Sequence, residues 1–142
     1  MGEDIDATFR LGDRQHEPAL EALFIAQWSQ VDPFPDAEAE RTLPRPITLL
    51  DQADQVAGGL AFTTYPHPQK SESAVWINAL LVVPQYRRRG LASHLIDLAQ
   101  TRARDLGVST LLVLTEYPDL YRHNGWQILA KTDAGCILSV SL

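Results

Sequence analysis

The chain has 142 residues, 45% of them hydrophobic and 21% charged, with a formal net charge of −6. That length and composition fit one globular domain over residues 1–142 and exclude a disordered or fibrous chain. The acidic balance argues against nucleic acid as a partner, because phosphates favour basic surfaces, and leaves cationic or neutral substrates easier to accommodate. Cys136 is the single cysteine, so no internal disulfide can form and no cysteine cluster can hold a metal. The N-terminal run Met1-Gly2-Glu3-Asp4-Ile5-Asp6 is acidic where a signal peptide needs a basic and then an apolar stretch. No apolar run reaches membrane-spanning length, so the expectation is a soluble cytoplasmic protein away from membranes.

Ala7 to Leu11 reads as a short first strand. Glu17 to Trp28 then carries Leu20, Leu23, Phe24 and Trp28 at helical spacing, with Pro18 suited to the first turn. From Val31 to Pro46, the prolines at 33, 35, 44 and 46 bracket an acidic segment, Asp36 to Arg41, expected to be a loop holding a brief helix. Asp36 suits an N-cap of that helix and Glu38 and Glu40 its first turn, while these carboxylates together with Asp32 would also attract a cationic ligand. Ile47 to Asp51 and Val56 to Tyr65 form a predicted hairpin around the polar turn 51–55. Ala74 to Val83 is apolar on both faces apart from Asn78, the pattern of a central strand covered on both sides.

After Pro84, Ala92, Leu95, Ile96, Ala99, Ala103 and Leu106 make one apolar helical stripe, closed by Gly107 as a C-cap. Thr110 to Leu114 is a second buried strand. Asp119 to Asn124 forms a short helical turn ended by Gly125, and Trp126 to Lys131 with Cys136 to Leu142 supply two final strands. The order describes a mixed α/β domain with a strand–helix–strand unit at its centre.

The segment Val82-Val83-Pro84-Gln85-Tyr86-Arg87-Arg88-Arg89-Gly90-Leu91-Ala92-Ser93 joins a buried strand to a long amphipathic helix. Such a junction offers free backbone N–H groups at the positive end of the helix dipole, a ready anion site. Gly90 and Ala92 are small enough for phosphate oxygens to approach the main chain, and the three arginines add positive charge. A lone arginine run would be no more than a solvated turn; the strand before it and the helix after it are what point to phosphate.

This junction resembles the cofactor motif of the GNAT superfamily of N-acetyltransferases, Gln/Arg-x-x-Gly-x-Gly/Ala, with Arg87, Gly90 and Ala92 at the matching positions. Downstream, Leu120-Tyr121-Arg122-His123-Asn124-Gly125-Trp126 is similar to the family's Tyr-x-x-x-Gly-Phe/Trp motif. The resemblance extends from Trp76 to Leu129. It implies a largely antiparallel central sheet flanked by helices, with acetyl-CoA as the acetyl donor. It also implies that the pantetheine arm lies along Leu80 to Val83, bonding to main-chain groups of Leu81 and Val83. The amides of Arg88, Arg89, Gly90, Leu91, Ala92 and Ser93 would then take the pyrophosphate. Arg87 and Arg88 either contact phosphate or flank it. Dimers are common in the resembling family, so a homodimer is among the arrangements implied.

Acetyl transfer to an amine needs a neutral nucleophile, a polarised thioester carbonyl and a proton for the departing thiolate. Strand amides near Leu81 or Val82 would meet the oxyanion, and the motif tyrosine, here Tyr121, would donate the proton. Tyr86 and Tyr117 stand outside the motif position and are read as packing or substrate-contact residues. Many family members carry a glutamate on the central strand as base, but Asn78 and Ala79 stand there in this chain. Asparagine positions a water or the amine without acting as a base. The base is therefore open between Glu116, at the end of the next strand, His123, and a water chain. The asparagine that the family often places just after that strand is absent from Thr115-Glu116-Tyr117-Pro118-Asp119.

The reading that results is an N-acetyltransferase acting on a primary amine of a small molecule or peptide. A non-catalytic acyl-CoA-binding domain of the same fold is the alternative, kept open by the missing strand glutamate. A nucleotide-binding module ranks behind both, because neither Gly-x-x-x-x-Gly-Lys-Ser/Thr nor Gly-x-Gly-x-x-Gly occurs.

Overall fold

A computed structural model describes residues 8–28 and 43–142. The expected start of the first strand at Ala7, the brief helix at 36–41 and the carboxylates Asp32, Asp36, Glu38 and Glu40 lie outside these residues. Seven strands form one sheet: β1 (Arg10–Leu11), β2 (Ile47–Leu50), β3 (Val56–Pro66), β4 (Ser73–Val82), β5 (Thr110–Thr115), β6 (Gln127–Thr132) and β7 (Gly135–Ser141). Their order is β1-β2-β3-β4-β5-β7-β6. Only β4 and β5 pair in parallel, and the other neighbours are antiparallel. Among the described residues there are three α-helices, α1 (Glu17–Gln27), α2 (Leu91–Asp105) and α3 (Pro118–Arg122). Among the described residues, no helix is long and apolar enough to cross a membrane.

The α2 stripe is the main anchor. Leu95, Ile96, Ala99 and Ala103 are fully buried against Ile47, Leu60, Phe62, Leu111 and Leu138, where each large side chain contributes about 1.5–3 kcal/mol. Leu106 departs from the expected stripe: it is the C-cap residue and 50% exposed, because the chain turns there into Gly107 at φ +89°. The opposite face of the sheet carries a smaller cluster of Leu20, Phe24, Ala61 and Ala79 beneath α1. The absence of a side chain at Gly59 permits that contact, since a Cβ there would overlap Leu20 and the Ile47 carbonyl.

Two irregularities shape the centre. On β4, Ala79 pairs with Ala61 but Ile77 pairs with Phe62, so Asn78 is an extra residue in a β-bulge. The bulge reverses side-chain parity: Val75 and Ile77 point toward α2, and beyond Asn78 it is Leu80 and Val82 that do so, leaving Ala79 and Leu81 on the α1 side. In addition, β4 and β5 pair only over Val75–Ile77 and Leu111–Val113. Beyond that point β4 continues to Val82 alongside β3, while β5 continues to Thr115 alongside β7. The sheet therefore splays open at its middle.

Candidate active site

A cavity of about 720 Å³ occupies this opening. It is lined by β4 from Ile77 to Val82, by the end of β5 and the residues just past it from Val113 to Tyr117, and by Leu120 and Tyr121 of α3. Arg87 and Ala92, about the start of α2, and Gln27 and Trp28, where α1 ends, complete the lining. Because β4 has lost its β5 partner here, half of its backbone groups face the gap rather than a neighbouring strand.

The parity of that edge differs from what the family resemblance implied. The Val83 N–H donates to Ala57 O at 2.9 Å. Residues of β4 alternate between their two sides, so Leu81 and Val83 turn their main-chain groups to β3, and Leu80 and Val82 turn theirs to the gap. The Val82 carbonyl is met there by Arg87 Nε at 2.8 Å. An extended ligand would pair with Leu80 and Val82, one residue out of register from the expected Leu81 and Val83.

Past Pro84–Tyr86, a single 3-10 turn, the chain makes the predicted strand-to-helix junction. Arg88 sits at φ +66° and Gly90 at φ +78°, two left-handed residues that curl the backbone ahead of α2. The first helical bond runs from His94 N–H to Gly90 O at 3.0 Å, and no side chain caps the helix. The amides of Leu91, Ala92 and Ser93 thus precede the intrahelical ladder and open onto the dipole's positive end. A Cβ on Gly90 would meet no protein atom within 4 Å, which leaves open space where an anion would approach.

The three arginines divide their tasks. Arg87 lines the cavity, held by Val82. Arg88 is exposed at the tip of the turn. Arg89 is drawn back over the rings of Phe9 and Tyr86, 5.7 Å and 5.8 Å from their centroids, so its side chain serves packing and leaves only its amide for the junction. Tyr86 is itself edge-on to Phe9 at 5.0 Å and donates its hydroxyl hydrogen to Asp51 Oδ2 at 2.9 Å.

Tyr121 reaches the cavity wall although it is 3% exposed. Burial pushes its pKa well above the usual phenol range, which holds it neutral. Its ring rests edge-on against Trp126 at 5.1 Å. The motif that carries it is latched to one face of α2. Asn124 Nδ2 donates to Ser93 O at 3.1 Å and to Asp97 Oδ1 at 2.6 Å, its Oδ1 accepts from Ser93 Oγ at 2.9 Å, and Trp126 Nε1 donates to Gln100 Oε1 at 3.1 Å. Ser93, Asp97 and Gln100 lie at i, i+4 and i+7, one stripe of the helix. The latch begins within the turn that would hold phosphate and ends beside the phenol.

Asn78 and Glu116 both line the same cavity as Tyr121, Asn78 half-buried on the bulge and Glu116 exposed past β5. His123 is exposed at the end of α3 and does not line the cavity. Sequence reasoning passed over Gln27 and Trp28, which also line the cavity, and Asn124, which ties the two motifs together. Asn124 stood inside the quoted motif, yet nothing local indicated that its partners lie on a helix 31 residues earlier. Among the described residues no cluster of His, Cys, Asp and Glu is arranged to hold a metal ion.

A family model described as "Acetyltransferase (GNAT) family" matches residues 13–126. No curated protein matches the sequence. Among solved structures, the chain is similar to yncA from Salmonella typhimurium with its cofactor acetyl-CoA, at 15% identity and TM-score 0.71, covering 95% of this chain and 93% of that one. It is also similar to YhbS from Escherichia coli in complex with CoA, at 18% identity and TM-score 0.69, covering 97% and 84%. Naa50 from Arabidopsis thaliana in complex with the bisubstrate analogue CoA-Ac-MVNAL is 14% identical, with TM-score 0.67 and coverage of 96% and 100%. At these identities the likeness is one of fold.

Proposed function

The chain belongs to the acetyltransferase (GNAT) family, and from that premise we propose that the opening between β4 and β5 takes acetyl-CoA and transfers its acetyl group to a primary amine of a small molecule or peptide. The observation that carries the reading is a coincidence in one cavity. The uncapped N-terminus of α2 with Arg87, the unpaired edge of β4 and the buried neutral phenol of Tyr121 share it.

The amides of the junction from Arg88 to Ser93 bind the pyrophosphate, and Arg87 adds charge beside them. Main-chain groups of Leu80 and Val82 orient the extended arm, and an N–H of that edge receives the negative charge that develops on the thioester oxygen. Asn78, displaced by the bulge, orients the amine or a water beside it. As the amine nitrogen bonds to the carbonyl carbon and the C–S bond breaks, Tyr121 gives its proton to the departing sulfur. The apolar surroundings that keep the phenol neutral also disfavour a free thiolate, so the proton passes as the bond breaks. The amine's surplus proton leaves through Glu116 or water, and the phenol is restored from solvent. The single Cys136 suits a reducing cytoplasm as the setting.

Calorimetry with acetyl-CoA, followed by thiol release across an amine panel, tests the proposal. Micromolar binding and amine-dependent thiol release are expected. Binding with no thiol released for any amine would favour a non-catalytic acyl-CoA-binding domain, a reading the family match does not favour. No binding would overturn both.

A further inference from the structure

The two ends of the cavity differ in charge and polarity. The α2 end holds Arg87 and free amides. The part of the lining that comes from the end of α1 and from the chain at and beyond the end of β5, termed here the α1 end, is Gln27, Trp28, Leu114, Glu116 and Tyr117. Among the described lining residues Glu116 is the one carboxylate, and none of the five at that end is a lysine or arginine. A ligand's ammonium is attracted here, and a ligand's carboxylate meets a like charge with no cation among the described residues of that end to offset it.

The same end exposes apolar surface. Leu111 and Leu112 at the start of β5 are fully buried, but Leu114 is 47% exposed and Tyr117 73% exposed, and both face the cavity. The main chain at Tyr117 is fixed despite that exposure. Its N–H donates to Thr115 Oγ1 at 3.0 Å, and Pro118 begins α3 directly after it. A large exposed ring carried on a fixed backbone beside a half-exposed leucine, with Trp28, packed on Phe24, in the same cavity wall, is surface left for a ligand to cover.

Resting on the acetyl-transfer reading above, we propose that the α1 end of the cavity selects a primary amine carried on an apolar body and bearing no carboxylate. The ammonium is drawn to Glu116, and the apolar body lies against Leu114 and Tyr117. That chemistry is supplied by an aralkyl or alkyl amine, or by the N-terminus of a peptide whose first side chain is large and apolar. Free amino acids are poor acceptors, because their carboxylate lies two bonds from the amine and meets Glu116.

The test is steady-state thiol release with acetyl-CoA and four acceptors: 2-phenylethylamine, phenylalanyl-glycinamide, L-phenylalanine and ethylamine. The first two should exceed the last two in kcat/KM by about 10-fold or more, and the order of the first two distinguishes a free amine from a peptide source. Glu116→Gln should raise KM for 2-phenylethylamine about 5-fold at low ionic strength, less in high salt, with KM for acetyl-CoA within about twofold. Tyr117→Ala should raise KM for 2-phenylethylamine but not for ethylamine. Both residues are exposed, so thermal melts of the variants should match the parent. L-Phenylalanine accepted as well as 2-phenylethylamine would overturn the proposal and leave acetyl transfer standing. A Glu116→Gln variant losing kcat with unaltered amine KM would also overturn it, assigning Glu116 to proton removal alone. Absence of thiol release with every amine would overturn both readings.

Discussion

Gly90→Glu separates binding from folding more cleanly than any other change at the junction. Gly90 is at φ +78° and ψ 10°, where a side chain costs about 1–2 kcal/mol. A Cβ there meets no protein atom within 4 Å, so no steric penalty is added. The new carboxylate stands at the N-terminus of α2, where the helix dipole returns about 0.3–1 kcal/mol. The net loss of stability is then about 1 kcal/mol, or roughly 2–4 °C in Tm for a domain of this size.

The ligand experiences something different. A unit charge about 5 Å from one phosphate charge is repelled by roughly 1–3 kcal/mol between bulk-water and protein-surface screening, a loss of about 5- to 150-fold in affinity for acetyl-CoA. Gly90→Ala carries the same backbone strain without the charge and should lose much less. Calorimetry with acetyl-CoA beside thermal melts measures both quantities, and added salt should recover part of the Glu defect. A folded Gly90→Glu protein with parental affinity would remove the pyrophosphate from this turn.

Three further outcomes are expected. Tyr121→Phe should lower kcat by about 10²-fold or more while leaving acetyl-CoA affinity near parental; equal turnover with chemistry rate-limiting would take Tyr121 out of the reaction. Burial raises the Tyr121 pKa in the folded state, so the unfolded chain loses this proton first. Stability should be insensitive to this group below about pH 10 and fall above it, and Tyr121→Phe should flatten that alkaline decline in pH-dependent melts. Asn124→Ala removes three hydrogen bonds between the Tyr121 motif and α2. At about 0.5–1.5 kcal/mol each, less for the exposed one, the loss should be roughly 1–3 kcal/mol, with kcat falling more than acetyl-CoA affinity; unchanged Tm and kcat would show that the latch positions nothing.

Features set by neighbouring residues were legible in the sequence. The amphipathic stripe of α2, the breaks at Pro84, Gly107 and Gly125, and the junction from Arg87 to Ser93 depend on dihedral preferences and periodicity within one stretch of chain, and the elements form where those signals stand. The decisive features of the cavity are not local. A bulge at Asn78 appears only when β3 and β4 are paired, and it determines that Leu80 and Val82 rather than Leu81 and Val83 face the opening. The splay of β4 from β5 is a property of two strands whose pairing stops after Ile77 and Val113. Arg89 could be counted with its neighbours as phosphate-facing until Phe9, far back in the chain, drew it away. Asn124 and Ser93 look like unremarkable polar residues until folding places one turn of α2 against α3. Sequence patterning alone determined which segments are helix, strand and strand-to-helix turn, because those choices are made by nearby atoms; the tertiary structure decided which backbone groups and side chains meet in the cleft, because contacts across tens of residues exist only once the core has packed.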